Sequence, residues 1–391
     1  MLFFTAFIIQ LSTSIRLDIF STSHTTITIM GWYFCFMASL IYILIGIHKK
    51  KVILSAVLLA LLFMIYVSLR LVLTAGDNFT VQSILISPRY GLLPLAVIGA
   101  GSALFFDVIK KHFHQSKTSD LTIILLRSVA LMIPLPIMFT CISFIQNPVI
   151  SIYYQPLTDT TIILFSLMML FIETLWPSKK PLYVLVIFGS SLTFCVAVIA
   201  LIGSTSVVAF WLFSMILFIW KSVYKATFFG KLLIATTTII GIMFVINLPF
   251  IQEIALGSRL MPLLNGSFEV TSITSRYALM LTFIDQFSID PIFGNFKADE
   301  YIGLEPGSYV HSIILSLFTH SGIIGVFIFA LMVLIVTSYR LEKLDNFNRL
   351  ESILVIAFFG LGSLYAFFSW PPFWFFLGFL FIKPNYLDFN R

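Results

Sequence analysis

Charge is what this 391-residue chain lacks. Lys, Arg, Asp and Glu together make up 10% of it, against about 25% in a soluble domain. Forty charged groups (23 basic, 17 acidic) cannot cover a water-soluble surface of this size. That shortage excludes a soluble enzyme, a nucleic-acid-binding domain and a disordered chain. Cysteine is scarce too. Cys35, Cys141 and Cys195 lie in apolar runs without metal-like spacing, so no disulfide framework is implied and buried thiols are expected. A cleavable leader is not read at the N-terminus. Met1 to Ile15 is apolar but has no basic n-region and no small-x-small cleavage site, so it reads as a first span. No group of His and acidic residues has the spacing of metal ligands. Asp299-Glu300 with Glu305 could coordinate a cation but read rather as solvated loop charges, and neither metal nor cofactor is expected.

What is abundant is apolar surface. Hydrophobic residues are 59% of the chain and aromatics 16%, with 43 phenylalanines. Mean hydropathy is +1.04. The chain reads as an all-α polytopic membrane protein, one transmembrane domain over 1–391. A hydrocarbon core about 30 Å thick needs about 20 apolar residues per helix. Twelve segments meet that ruler, near 2–20, 27–47, 52–74, 91–109, 121–146, 160–176, 181–202, 205–220, 232–251, 312–337, 351–369 and 371–383.

The net charge of +6 is an orientation signal in such a chain. With the N-terminus cytoplasmic, 16 of the 23 basic residues fall in cytoplasmic loops, and lysine dominates there. The remaining seven are Arg16, Arg70, Arg89, Arg127, Arg259, Arg276 and Lys297. Both termini are therefore placed in the cytoplasm. Six of those seven are arginines, whose planar fork suits bidentate phosphate binding better than a lysine ammonium does.

One loop, 252–310 on the non-cytoplasmic side, carries ten of the forty charges. Loops this long in compact proteins are usually functional. Within it Ile273, Tyr277, Leu281, Ile284 and Phe287 recur at helical spacing. The pattern predicts an amphipathic surface helix from Thr271 to Phe287, capped by Thr271 or Ser272 and ended by Pro291. Arg276 then falls in or near its first turn, where an anion could meet both the guanidinium and free backbone amides. Snorkelling to lipid headgroups is the alternative. Pro291-Ile-Phe-Gly294-Asn295 is a turn signal. His311 stands where the loop meets the tenth span and is a candidate general base, or else a polar helix cap. Arg127 inside the fifth span, Arg89 before the fourth and Arg70 near the outer end of the third each read either as phosphate ligands or as interfacial anchors. His320 lies nine residues beyond His311, so the two cannot share a metal on one straight helix. It reads as a packing or hydrogen-bonding residue.

An ordered set of residues carries a resemblance. Ser275-Arg276 opens the loop helix, then come Pro291-Ile-Phe-Gly294-Asn295, Tyr309-Val-His311-Ser312-x-x-Leu315 and Gly322-Ile-Ile-Gly325. Together they cover about a fifth of the chain. This order, with one large late loop, resembles the O-antigen polymerase and O-antigen ligase superfamily. The resemblance implies a GT-C-like fold in the bacterial inner membrane with a periplasmic active site. It implies a metal-independent glycosyltransferase whose donor is a glycan on undecaprenyl pyrophosphate, with a chain-length regulator as a further partner beside membrane lipids. By residue match it gives His311 the base role and Arg276 the pyrophosphate role. Arg259, Arg89 and Arg127 are candidates for a further pyrophosphate arginine, because Gly203-Ser204-Thr205-Ser206-Val207 lacks the one many members carry. Tyr309 is expected among the substrate-binding residues. His311-Ser312, where ligases often show His-Asn, tilts the reading to a polymerase over a ligase, which would pass the chain to lipid A-core. A flippase or other transporter is the rival from another class. Internal repeats, common in transporters, are not seen.

Overall fold

A computed structural model describes residues 24–74, 92–115, 121–146, 154–176, 180–201, 204–223, 271–305, 308–341 and 350–383. Among these the chain is helical, with one isolated antiparallel bridge between Val52 and Ile382. The helices are α1 His24–His48, α2 Leu54–Thr74, α3 Leu92–Gln115, α4 Leu121–Met132, α5 Leu135–Gln146, α6 Tyr154–Leu175, α7 Leu182–Leu201 and α8 Thr205–Val223. They continue with α9 Thr271–Leu281, α10 Phe283–Ile289, α11 Ala298–Tyr301, α12 Ile313–Leu341, α13 Leu350–Tyr365 and α14 Pro371–Leu380. Among the described residues, six stretches are long and apolar enough to cross a membrane: Leu54–Thr74, Leu92–Ile109, Leu121–Phe139, Leu157–Leu175, Leu182–Ala200 and Ile313–Tyr339.

Ten of the twelve expected segments fall on these helices, and those near 2–20 and 232–251 lie outside the described residues. Two differ from the expectation in kind. The segment 121–146 is interrupted at Ile133-Pro134, because a proline has no N–H to donate and its ring crowds the preceding turn. The segment 371–383 holds a helix of only ten residues, which rises about 15 Å, half a hydrocarbon core. Every residue of α14 is buried, from Pro371 to Leu380, so it packs inside the protein instead of facing lipid.

The sequence reads as one domain, and its contacts divide it into two compact units. Residues 29–111 and 273–391 belong to the first and 112–272 to the second. In the first unit α2 packs along α12, and α12 also meets α10 and α13, which in turn packs on α14. Aromatic side chains fill the joints. Phe63 of α2 stacks on Trp374 of α14, ring centroids 5.8 Å apart and planes 18° from parallel. Phe329 of α12 stands edge-on to the same indole at 6.1 Å. Small residues let α3 and α14 touch, as in close helix crossings in membranes: a Cβ on Gly378 would stand 2.2 Å from the Ala96 carbonyl oxygen. Where Lys51 to Ile53 meet Phe381 to Lys383, two backbone bonds of 2.8 Å close the bridge. Lys51 there pairs with the buried Asp107. In the second unit α6 is the central helix, buried along nearly all of Leu157–Leu175 against α4, α7 and α8. Cys35, Cys141 and Cys195 are free and buried, as their apolar settings suggest.

Candidate active site

The first unit contains the loop on which the sequence motifs converge. The helix expected over Thr271–Phe287 forms in two pieces, α9 and α10, divided at Thr282. The Thr282 hydroxyl donates to Leu279 O at 2.8 Å, which satisfies a helix-end carbonyl locally. The apolar stripe divides with it. Tyr277, Leu281 and Ile284 are 63%, 65% and 73% exposed, whereas Phe287 turns inward onto Phe283 and Phe318. Arg276 sits in the second turn of α9, one turn beyond the free amides. Gln286 is the buried face of α10 and donates to Ser308 O at 3.1 Å.

The turn after α10 is organised by Asp290. Its carboxylate accepts from the Phe293 N–H at 3.1 Å and its carbonyl from the Gly294 N–H at 2.8 Å. Gly294 takes φ +80°, a conformation that costs glycine little. The turn then plugs into α12, which is broken at Gly322 (φ 60°, ψ −171°). A break in a helix leaves amides and carbonyls without their i,i+4 partners. Here the loop supplies them. Ile323 N donates to Pro291 O at 3.0 Å, Ile324 N to Ile292 O at 3.2 Å, and Asn295 N to Thr319 O at 2.9 Å. The two glycine motifs of the sequence are thus two halves of one backbone joint.

Helix α2 holds the joint from the side. Tyr66, Arg70 and Thr74 recur every four residues and share one helix face. The Tyr66 hydroxyl lies 2.7 Å from Phe293 O and 3.0 Å from Ser321 O. Arg70 Nε donates to Gly294 O at 3.1 Å, its Nη2 bonds the same carbonyl and Asp290 at 2.6 Å, and its guanidinium lies over the Phe293 ring. Thr74 Oγ1 accepts from Phe296 N at 3.1 Å. Arg70 is thereby neither a simple interfacial anchor nor an open phosphate ligand; it clamps the loop.

His311 follows this joint along the loop. Its Nδ1 lies 2.9 Å from Tyr309 O. A carbonyl only accepts, so Nδ1 carries the proton and Nε2 keeps the lone pair in the neutral ring. Burial lowers the His311 pKa below the usual histidine value, the Tyr309 carbonyl opposes this, and the positive charge of Arg276 lowers it further. The Arg276 charge is thus felt at the imidazole, and the ring is biased to its neutral form. Ser312 is the N-cap of α12: its hydroxyl accepts from Leu315 N at 3.3 Å. The imidazole stacks on Tyr309, centroids 5.1 Å apart and planes 13° from parallel. Tyr309 leans on Phe367 at 4.5 Å and meets His320 edge-on at 6.2 Å. Burial, then the nearby charge of Asp299, raise the Tyr309 pKa. His320 is buried, with Nδ1 3.0 Å from Ser316 O and 2.8 Å from the Thr319 hydroxyl.

Of the residues singled out in the sequence, His311 and Tyr309 come together, and Arg276 acts on His311 through its charge. Arg89 and Arg259 lie outside the described residues. Arg127 belongs to the second unit, where its Nη2 donates to Leu175 O at 3.0 Å and the guanidinium lies 5.2 Å over Trp176. Sequence reasoning missed Tyr66, Thr74, Gln286 and Asp290, and it missed the clamping part of Arg70. The signal for the first was present, a polar stripe at four-residue spacing in an otherwise apolar span. Among the described residues, no three or more His, Cys, Asp or Glu are grouped to hold a metal ion. No protein-family model matches the chain, and no curated protein or solved structure matches it significantly.

Proposed function

We propose that this protein is a glycosyltransferase of the membrane surface, a polymerase of lipid-linked polysaccharide. It passes a growing glycan from undecaprenyl pyrophosphate to a sugar hydroxyl of the next lipid-linked repeat unit, on the non-cytoplasmic side of a bacterial inner membrane. The observation that supports this best is the His311 ring, biased to its neutral form with Nε2 as its basic atom and exposed to the charge of Arg276. In the reaction the acceptor oxygen attacks the anomeric carbon as its proton passes to His311 Nε2. The bond from that carbon to the pyrophosphate oxygen breaks, and the pyrophosphate leaves with the electron pair. Arg276 offsets the charge that develops there; one preorganised donor of this kind contributes on the order of 3 kcal/mol. His311 serves as base because its neutral form dominates at neutral pH.

Polymerase and ligase share this chemistry and differ in the acceptor. The resemblance separates them by Ser312 against Asn. Ser312 caps α12, a place Asn fills equally well, so the acceptor is decided by product analysis. In cells lacking the gene, surface glycan is resolved on a gel that separates single repeat units. A core carrying one unit and no longer ladder is the expected result. Bare core with long chains left on the carrier lipid would mean a ligase. Unpolymerised units trapped on the cytoplasmic face would mean a transporter, and the reading of His311 as a base would be withdrawn.

A further inference from the structure

Three observations around His311 concern the ring itself rather than its charge. Its Nδ1 is tied to the carbonyl of Tyr309, two residues back. One face of the imidazole is covered by the Tyr309 ring, nearly parallel to it. That phenol is in turn braced from a different segment, by Phe367 in the turn between α13 and α14. A histidine ring turns freely about χ2 unless it is bonded or packed. Here one residue supplies both restraints, the bond through its main chain and the packing through its side chain. We propose that Tyr309 is a positioning residue for His311: its ring fixes the imidazole plane and covers one face, so that Nε2 is the atom presented to the acceptor hydroxyl.

This rests on the reading of His311 as base and changes the part assigned to Tyr309, from contact with substrate to support of the base. The hydroxyl of Tyr309 is not what the proposal needs. Burial and the charge of Asp299 act on that hydroxyl, and Asp299, expected from the sequence as a solvated loop charge, is instead buried on α11. What the imidazole meets is the flat of the ring. Among the described residues, the charged and titratable groups that act on His311 and Tyr309 are Arg276 from α9, Tyr309 itself with Asp299 behind it, and the buried His320 of α12. Phe367 brings no charge. Removing the Tyr309 ring therefore alters the hydration of His311 far more than it alters the local field.

The test reads the imidazole directly and needs no substrate. The purified full-length protein in detergent is treated with diethyl pyrocarbonate, which acylates a neutral imidazole nitrogen and releases carbon dioxide and ethanol. Modification of the His311 peptide is followed by mass spectrometry against pH. In the native protein the midpoint is expected below that of a free histidine peptide, and Tyr309→Phe is expected to leave it in place. Tyr309→Leu is expected to move it up towards the ordinary value of about 6.5 and to speed modification several-fold above it, because the ring becomes hydrated and mobile. If Tyr309→Leu does not accumulate, Phe367→Leu removes the brace and is expected to move the midpoint in the same direction by less. A midpoint unmoved by loss of the ring would overturn the proposal, as would a shift in Tyr309→Phe equal to that in Tyr309→Leu. Loss of surface glycan is scored separately in His311→Ala. Wild-type glycan in that variant would remove the base reading, whereas an inactive His311→Ala beside an unmoved Tyr309→Leu midpoint would remove only the positioning.

Discussion

Gly294 and Gly322 meet backbone to backbone. A Cβ on Gly294 would stand 2.4 Å from the His320 carbonyl carbon, and one on Gly322 2.4 Å from Ile292 O. Both residues also have positive φ. Alanine at either position must force the loop and α12 apart as well as adopt a disfavoured conformation. We expect Gly294→Ala and Gly322→Ala to destabilise the protein by roughly 3 kcal/mol, towards the upper end of single-residue effects. Gly303 is the control. It has φ +78° and nothing within 4 Å of an added Cβ, so alanine there should cost only about 1 kcal/mol. Thermal unfolding in detergent compares the three. Equal losses at all three sites would mean that the backbone joint contributes nothing.

Arg70 tests the joint from α2. It bonds both Gly294 O and the Asp290 carboxylate, and a lysine ammonium cannot reproduce that planar fork. Arg70→Lys should destabilise by roughly 2 kcal/mol, the scale of a hydrogen bond to a charged group. Asp290→Asn should lose less. The double variant should lose less than the sum of the two, since they share one interaction. Strict additivity in a double-mutant cycle would show that the pair is not coupled.

How far the sequence discloses this site depends on how local each cause is. His311, Ser312 and the start of α12 are legible because capping and the onset of a hydrophobic run lie within a few residues of each other. The turn at Pro291 to Asn295 is legible for the same reason. Its partner is not. Nothing local says that a five-residue turn will complete a helix broken 28 residues later at Gly322, or that Tyr66, Arg70 and Thr74, more than 200 residues earlier, will hold it. Apart from the Arg70 contacts with Asp290 and Phe293, those contacts go to main-chain atoms, which leave no trace in residue type. The stripe over Thr271–Phe287 predicts one helix because periodicity counts apolar positions, whereas the break at Thr282 comes from a side chain bonding back to its own turn. Segment 371–383 looks like a span because burial in protein and burial in lipid ask for the same composition.

Arg127 offers a test in the second unit. It donates to Leu175 O at the end of α6 and covers Trp176. Arg127→Met keeps the aliphatic stem and loses the bond and the cation–π contact. A loss of roughly 1 to 2 kcal/mol is expected, with KM for the lipid-pyrophosphate donor unchanged in the folded fraction. A raised KM with unchanged stability would instead make Arg127 a donor ligand.

The pH dependence of transfer separates the two parts assigned to Arg276. The pKa of His311 is lowered below the ordinary 6.5, first by burial and also by the Arg276 charge. A base acts when neutral, so transfer should hold its plateau at and above pH 6.5 and fall on the acid side, with a midpoint below 6.5. Stability follows the same sign. The unfolded chain takes up the His311 proton at a higher pH than the folded chain does. This contribution is therefore full above 6.5 and declines as pH drops from there through the folded value. Arg276→Gln removes a charge that disfavours the imidazolium, so the acid midpoint should rise. It should stay below 6.5, because burial, the larger cause, remains. Arg276→Lys keeps the charge and loses the fork, so the midpoint should stay near the native one while KM for the donor rises. Rate against pH at saturating and at low donor reads both effects. If Arg276→Gln leaves the acid midpoint unmoved, Arg276 does not act on His311. If Arg276→Lys leaves KM unmoved, Arg276 does not grip the pyrophosphate.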